Sequence, residues 1–229
     1  MLALLSNAVL VGCGPSKDSE GLTVNPTIYY KPTIHQDEMR CEKSAMKEVL
    51  SPEDKVLGHL CANDFDLCLM QGSCFVQTDD EVVSFNYHSV KNGTHRFFIS
   101  SMRCPYGFGA RQDCMDPYFS VAADFNFYKV GDVIFVPRLI GAVMPNGEVH
   151  DGFLIVRDTG SGIIGANRFD FFTGIYSHLT KKNPFVRLGF SDPRNSFEFR
   201  MATATEAAAV RKQRNYPGLK KSVLDEKLF

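Results

Sequence analysis

The chain of 229 residues lacks several features that would assign it to a class of function. It has no tryptophan, and its formal net charge of −1 gives no basic surplus to attract nucleic acid. It has no Cys-x-x-Cys or His-x-x-x-His pair of the kind that binds zinc. No apolar run reaches the roughly 20 residues that a membrane-spanning helix needs. We therefore predict no nucleic-acid partner, no metal and no other cofactor.

The N-terminus carries one shorter apolar run, "MLALLSNAVLVGC". Its length suits a secretory signal, and residues 10–13 resemble the bacterial lipobox, where the signal is cut before a lipid-modified cysteine. Neither Lys nor Arg precedes the run, so the alternative is a buried segment in which Cys13 is a free thiol. We predict a signal at 1–13, lipidation of Cys13 and a linker at 14–24. This would anchor the protein by lipid alone in the bacterial periplasm or at the outer membrane.

Six cysteines follow Cys13, and an even number in an exported chain favours disulfides. Cys104 and Cys114 flank the Gly- and Pro-containing stretch "PYGFGARQD", and we predict that they pair. The other four are expected to pair among themselves in an order that the sequence leaves open: Cys41, Cys61, Cys68 and Cys74.

Strands dominate the pattern from residue 69 onward. Runs rich in β-branched and aromatic residues, such as "EVVSFNYHSV" and "HRFFISSM", recur every 8–12 residues or so between turn signals, which indicates a β-barrel or sandwich. Helical spacing in "CEKSAMKEVL" and a typical helix start, "SPED" at 51–54, predict a helical section within 37–68. "TATEAAAVRKQRN" predicts a C-terminal helix capped by a threonine.

The stretch "FLIVRDTGSGIIGANRFDFFTG" contains two carboxylates in a setting that suits catalysis. Asp158-Thr159-Gly160 has the form of an aspartic-protease signature, but such enzymes bring together two DTG loops and this chain has one. Alternatively, neighbouring strands bring Asp158 and Asp170 together at a sugar, where apolar surroundings raise a carboxyl pKa for general acid catalysis. Aspartates that only cap turns would also fit the glycines near Asp158.

An ordered set of motifs resembles the 3D domain, named for three aspartates, of MltA-type lytic transglycosylases. "VRDTGSGIIGANRFDFFTG" resembles the family hallmark, with Asp158 and Asp170 as the second and third aspartates. "VAADFNFYKVGDVIFVP" supplies Asp124 as the first. "TIYYKP", "LMQGSCFV" and "FNYHSVKNGTHRF" resemble further family segments in the family's order. The similarity runs from Thr27 to Met201.

The resemblance implies a mainly β fold, namely a six-stranded double-psi β-barrel with a small cysteine-containing inserted subdomain and a C-terminal helix. On this basis we place the barrel at 25–36 and 69–201, the inserted subdomain at 37–68, and the C-terminal helix and tail at 202–229.

The resemblance also implies a reaction, the cleavage of peptidoglycan between N-acetylmuramic acid (MurNAc) and N-acetylglucosamine (GlcNAc) that leaves a 1,6-anhydro end. Asp170 corresponds to the family's single catalytic residue, first acid and then base, with Asp158 and Asp124 in support. The partner would be peptidoglycan glycan strands, bound by a monomer. The substrate-binding candidates are Gln71, Ser73, Tyr30, Gly160 and Asn167.

Three departures from the family pattern keep two alternatives open. One extra residue lies between Asp158 and Asp170, the family lysine in that loop is replaced by Ile163 or Ile164, and the second domain is shortened. The missing lysine and the shortened second domain motivate a murein-binding barrel without catalysis, similar to expansins. The other alternative is a peptidoglycan hydrolase that uses water, Asp158 and Asp170.

Overall fold

The computed structural model describes residues 22–36, 41–101 and 103–224. The predicted signal, the lipidation site Cys13 and residues 14–21 of the predicted linker lie outside the described residues. Residues 22–24 do not form a linker, because they belong to a strand that pairs with the last strand of the chain.

Twelve strands and four helices make up most of this described part. The strands are β1 (Leu22–Tyr29), β2 (Thr33–His35), β3 (Met46–Leu50), β4 (Val56–Cys61), β5 (Ser73–Gln77), β6 (Val82–Lys91), β7 (Thr94–Ile99), β8 (Ser120–Ala123), β9 (Val133–Phe135), β10 (Phe153–Asp158), β11 (Arg168–Phe172) and β12 (Phe197–Met201). The helices are α1 (Ala62–Met70), α2 (Pro184–Arg187), α3 (Ala204–Gln213) and α4 (Lys221–Leu224). None of these helices is long and apolar enough to cross a membrane.

Six strands close into a barrel in the order β1-β11-β8-β10-β9-β12. The pairs β1–β11 and β8–β10 are parallel, and the other four are antiparallel. Alternation along β11 shows how the barrel is filled: Phe169 and Phe171 are fully buried in its core, while Asp170 between them points to the other face. Phenylalanine thus supplies most of the large aromatic volume in a chain that has no tryptophan.

The remaining strands form a second sheet in the order β2-β5-β6-β7-β3-β4, with α1 packed against it. Its core includes Leu60, Phe65 and Phe97. Residues 33–36 and 69–99 were predicted to lie in the barrel, whereas β2 and β5–β7 belong to this sheet. The inserted unit therefore spans about 33–99 rather than 37–68. The alternating pattern identifies strands, but pairing across long stretches of chain decides which sheet they join.

The helical section predicted within 37–68 is wrong over most of its length. "MKEVL" forms β3, and "SPED" makes the turn of the β3–β4 hairpin, in which the Ser51 amide donates to the Lys55 carbonyl. Asp54 has a φ of 65°, which a helix does not allow. Along β3 only Val49 is buried, whereas Lys47 and Glu48 are exposed. The helix in this region is α1, which begins after Cys61.

The C-terminal helix forms as predicted. The Thr203 hydroxyl accepts from the Glu206 amide and the Glu206 carboxylate accepts from the Thr203 amide, which makes a capping box. Ala207 and Val210 of α3 pack against Val133 and Ile155 of the barrel.

All six described cysteines form disulfides. Cys104 pairs with Cys114, which is the predicted pair. The other four pair among themselves, as expected, in the combinations Cys41–Cys61 and Cys68–Cys74.

Candidate active site

A cleft with a volume of about 740 Å³ lies between the barrel and the second sheet. The barrel contributes Asp158, Asp170 and the loop after β10. The other side of the cleft is formed by the end of α1 and by the rings of Tyr87 and His95 from the second sheet. The lining residues are Tyr29, Leu69, Met70, Gln71, Gly72, Tyr87, His95, Ala122, Asp158, Thr159, Gly160, Ser161, Gly162, Ile163, Arg168 and Asp170.

Strand pairing brings Asp158 and Asp170 to the same place. Ala122 on β8 is the register partner of Asp158 on one side and of Asp170 on the other. The Cα atoms of the two aspartates are therefore about two strand spacings, or roughly 10 Å, apart. Because Ala122 has only a methyl group, the space between the two carboxylates stays open to the cleft.

A β-bulge makes this arrangement possible. The β10–β8 register shifts between Val156 and Asp158, so Arg157 is the extra residue and Asp158 pairs with Ala122. The Arg157 side chain points away from the cleft and is fully buried. Its Nη1 donates to the carbonyls of Cys114, at 2.6 Å, and Gly218, at 3.0 Å.

Strand β1 holds both carboxylates. The Thr27 hydroxyl donates to Asp170 Oδ1 at 2.7 Å, and the Tyr29 hydroxyl donates to Asp158 Oδ2 at 3.2 Å. Thr27 and Tyr29 are two residues apart on one strand, so their side chains share the face that looks onto the cleft. Thr27 is also the register partner of Asp170 in the β1–β11 pair.

The surroundings raise both carboxyl pKa values. Burial raises the pKa of Asp158 to about 7, with a further rise from the charge of Asp170, against the lowering effect of hydrogen bonds from the Thr159 backbone and Tyr29. Burial also raises the pKa of Asp170, although the Thr27 hydrogen bond and the charge of Arg168 oppose this rise. A carboxyl with a raised pKa holds a proton closer to neutral pH, as a general acid requires.

Asp124 supports the loop between the two aspartates rather than lining the cleft. Its Oδ2 accepts from the Gly165 amide at 2.8 Å and its Oδ1 from the Asn126 amide at 2.9 Å. These hydrogen bonds lower the pKa of Asp124 below its usual value, and the bond from Gly165 has the largest effect. These hydrogen bonds fix the loop between Asp158 and Asp170, in which Ile163 is buried at the cleft and Ile164 is exposed.

Two of the five predicted substrate-binding residues, Gln71 and Gly160, line the cleft. Ser73 is buried within β5, Asn167 is exposed, and neither is part of the cleft lining. The Tyr30 side chain does not line it either, because Tyr29 is the tyrosine of β1 that faces the carboxylates.

Sequence reasoning missed several residues of the cleft. Arg168 lines the cleft and Thr27 donates to Asp170, and neither was predicted, although Thr27 lies on the same strand face as Tyr29 and could have been found from it. His95 and Tyr87 form the opposite wall, with their ring centroids 6.0 Å apart. Nothing in their local sequence indicates that the second sheet turns this face toward the barrel.

One family model matches part of the chain. The family model of the 3D domain matches residues 119–183, a range that includes Asp124, Asp158 and Asp170. No curated protein sequence matches the chain.

Three solved structures show the same fold. The structure of Escherichia coli MltA with bound chitohexaose has a TM-score of 0.50 at 14% identity, over 80% of this chain and 73% of that one. For the membrane-bound lytic murein transglycosylase of Agrobacterium tumefaciens the TM-score is 0.51 at 13% identity, with coverages of 83% and 76%. For Neisseria gonorrhoeae MltA it is 0.50 at 14% identity, with coverages of 78% and 71%.

Proposed function

We propose, from the premise that the chain is an MltA-like 3D-domain protein, that it is a lytic transglycosylase that degrades peptidoglycan. The observation that carries this proposal is the pair of carboxylates with raised pKa values, hydrogen-bonded from one strand face in a cleft. The E. coli structure of the same fold holds chitohexaose, which supports a glycan as the substrate class here.

In this proposal Asp170 performs both proton transfers. Its Oδ1 is bound by Thr27, and its Oδ2 has no hydrogen-bond partner among the described residues, so the proton is assigned to Oδ2. Asp170 gives this proton to the oxygen that links MurNAc C1 to GlcNAc, and the bond from C1 to that oxygen breaks. The resulting carboxylate then takes the proton of the MurNAc C6 hydroxyl, and the C6 oxygen attacks C1. The product is 1,6-anhydro-MurNAc, and Asp170 is protonated again.

Asp158 would act on the charge that develops at C1. As an anion it would stabilise the positive charge of the transition state, and the Tyr29 hydrogen bond favours that anionic form. Asp124 would contribute only by fixing the loop at Gly165. We assign no step to a metal or a cofactor.

One observation favours a second candidate, a hydrolase that uses both carboxylates. The pKa of about 7 for Asp158 would let this residue, rather than Asp170, serve as the acid. The two aspartates stand on opposite sides of β8, and inverting glycosidases place their carboxyl groups about 6.5–9.5 Å apart to admit a water. The third possibility is a murein-binding barrel without catalysis, which the Ile163–Ile164 pair in place of the family lysine motivates.

Mass spectrometry of the soluble products from purified peptidoglycan separates these possibilities. The proteins compared are the wild type, Asp170→Asn, Asp158→Asn and, as a matched control, Asp79→Asn at an exposed position outside the cleft. Anhydro ends that vanish in Asp170→Asn and persist in Asp79→Asn would support the transglycosylase. Products heavier by one water would support the hydrolase. Binding to sacculi without any product would contradict both enzymes.

Two further assignments belong to this proposal. We assign the barrel to the double-psi class because its two parallel pairs, β1–β11 and β8–β10, lie within an otherwise antiparallel ring. We also propose that a monomer is anchored through lipidated Cys13 in the periplasm or at the outer membrane. Metabolic labelling with a radioactive fatty acid, lost in Cys13→Ala, tests the anchor.

A further inference from the structure

A disulfide frames part of the cleft wall opposite the two carboxylates. Cys68 lies on the buried side of α1 and Cys74 lies in β5, and the bond between them closes a short loop. Both cysteines are almost completely buried. All four residues from 69 to 72 line the cleft. The disulfide therefore holds a wall segment and not a peripheral part of the second sheet.

Hydrogen bonds join this loop to elements on both sides of the cleft. Gln71 Oε1 accepts from the Tyr30 amide of the barrel at 3.0 Å, and the Gly72 carbonyl accepts from the Tyr87 amide of β6 at 2.8 Å. The bond to Tyr30 crosses from the second sheet to the barrel at the point where β1 ends.

The position of Tyr30 gives that bond its importance. The Lys31 amide still donates to the Gly174 carbonyl at 2.7 Å beyond the last register pair of β1 and β11, so the intervening Tyr30 amide points away from β11 and is bound by Gln71 instead. The preceding residues of the same strand are Tyr29, which binds Asp158, and Thr27, which binds Asp170. Movement of this strand end would shift the two hydroxyl groups that hold the carboxylates.

We propose that the Cys68–Cys74 disulfide and Gln71 form a positioning element that fixes the end of β1, and with it the Thr27 and Tyr29 hydroxyls, against Asp158 and Asp170. Its effect on reaction rate rests on the proposed function, but its effect on the strand does not. Gln71 thereby acts through the barrel backbone, which differs from the sugar contact that the sequence predicted.

The physical basis is local opening. A cross-link removes open conformations from the loop that it closes, and backbone amides exchange their hydrogens when their local structure opens. Without the disulfide, the 69–72 loop samples more conformations and the Gln71–Tyr30 bond breaks more often. The amide hydrogen of Tyr30 then exchanges faster with solvent.

Hydrogen–deuterium exchange over residues 27–31 tests the proposal without any need for activity. We expect exchange at Tyr30 at least about fivefold faster in Cys68→Ala/Cys74→Ala than in the wild type. The matched control is Cys41→Ala/Cys61→Ala, which removes a disulfide of the same sheet that does not close the 69–72 loop. The control should leave this segment unchanged. Equal acceleration in both double variants, or none in the first, would overturn the proposal.

Substitution of Gln71 provides an independent test. Gln71→Met keeps the length of the side chain and removes the acceptor, whereas Gln71→Glu keeps an acceptor oxygen. Faster exchange at Tyr30 in the Met variant and rescue in the Glu variant are expected. A Met variant with wild-type exchange would show that Gln71 does not hold the strand.

The kinetic consequence is measured on soluble glycan strands at saturating concentration. We expect kcat about tenfold lower in Cys68→Ala/Cys74→Ala, since small displacements of catalytic groups slow a reaction strongly, and wild-type kcat in Cys41→Ala/Cys61→Ala. Unchanged kcat in the first variant would contradict the positioning role. If the wild type itself cleaved no peptidoglycan, the proposed function would fail, while the exchange data would still decide this inference.

Discussion

Thr27 Oγ1 and Asp170 Oδ1 are joined by a hydrogen bond of 2.7 Å between register partners on two parallel strands. The bond fixes one oxygen of the carboxylate and directs the other toward the cleft. It also stabilises the charged form of Asp170 and thus works against burial. The geometry of the proposed acid is therefore set by a backbone pairing, which a change of one side chain can test.

Thr27→Val should raise the pKa of Asp170 further, because the hydrogen bond that lowers it is lost while the β-branched shape remains. The limb of the pH–rate profile that reports Asp170 should move to higher pH, and the rate should fall about tenfold. The measurement is the rate of anhydro-product formation from pH 4 to 9. Thr27→Ser keeps the hydroxyl and should retain the wild-type profile; a shift in this variant as large as in Thr27→Val would contradict the assignment.

Tyr29→Phe should raise the pKa of Asp158 above its present value of about 7, because the Tyr29 hydrogen bond lowers it. The Phe ring can keep the packing against Phe172, whose centroid lies 5.1 Å from that of Tyr29. Carbon-13 NMR titration of the aspartate carboxyl groups measures the change directly. A downward shift would mean that the Tyr29 hydroxyl does not donate to this carboxylate.

Asp158 should make the protein less stable as the pH rises. The folded-state pKa of Asp158, about 7, lies above the ordinary value of 3.8. The stability that Asp158 contributes to the folded state is therefore fully present below about pH 4 and is lost as the pH rises through 7. Asp158→Asn should therefore be more stable than the wild type at pH 8, by about 1–3 kcal/mol once partial exposure to the cleft is allowed for. Urea unfolding at pH 5 and pH 8 measures the difference. Asp79→Asn should show no such pH-dependent gain.

Asp124→Ala should loosen the loop that ends at Gly165, because that amide loses its acceptor. We expect a lower unfolding free energy and a lower reaction rate, since residues 159–163 of this loop line the cleft. Asp124→Asn keeps an acceptor oxygen and should recover much of both quantities. Thermal unfolding and product analysis of the two variants provide the check. A strong rate loss in the Asn variant with normal stability would instead indicate direct participation of the charge.

Local patterns predicted the features of the fold that depend on short stretches of chain. The Thr203–Glu206 capping box lies within four residues, and the Cys104–Cys114 pair closes one loop. Asp158 and Asp170 do meet, but the prediction that they lie on neighbouring strands is wrong, because β10 and β11 do not pair with each other. The structure shows that their common partner is β8, which lies between them.

Features that depend on distant pairing were not predictable in the same way. Tyr30 was predicted at the substrate, but the pairing of β1 with β11 turns Tyr29 toward the cleft instead. "CEKSAMKEVL" has helical spacing, yet its second half joins β4 and β7, and those contacts outweigh its intrinsic preference. The short helix α1 has only two fully buried side chains, Phe65 and Cys68, which is a weak periodic signal.

The bulge at Arg157 has a consequence for the electrostatic character of the whole cleft. Adjacent residues of a strand point to opposite faces, so one unpaired residue determines whether a guanidinium or a carboxylate faces the cleft. Without the bulge, Arg157 would be the partner of Ala122 and would present a guanidinium to the cleft, whereas Asp158 would point to the opposite face. In this protein the sign of charge in the cleft is encoded by the register of a strand as much as by the identity of its residues.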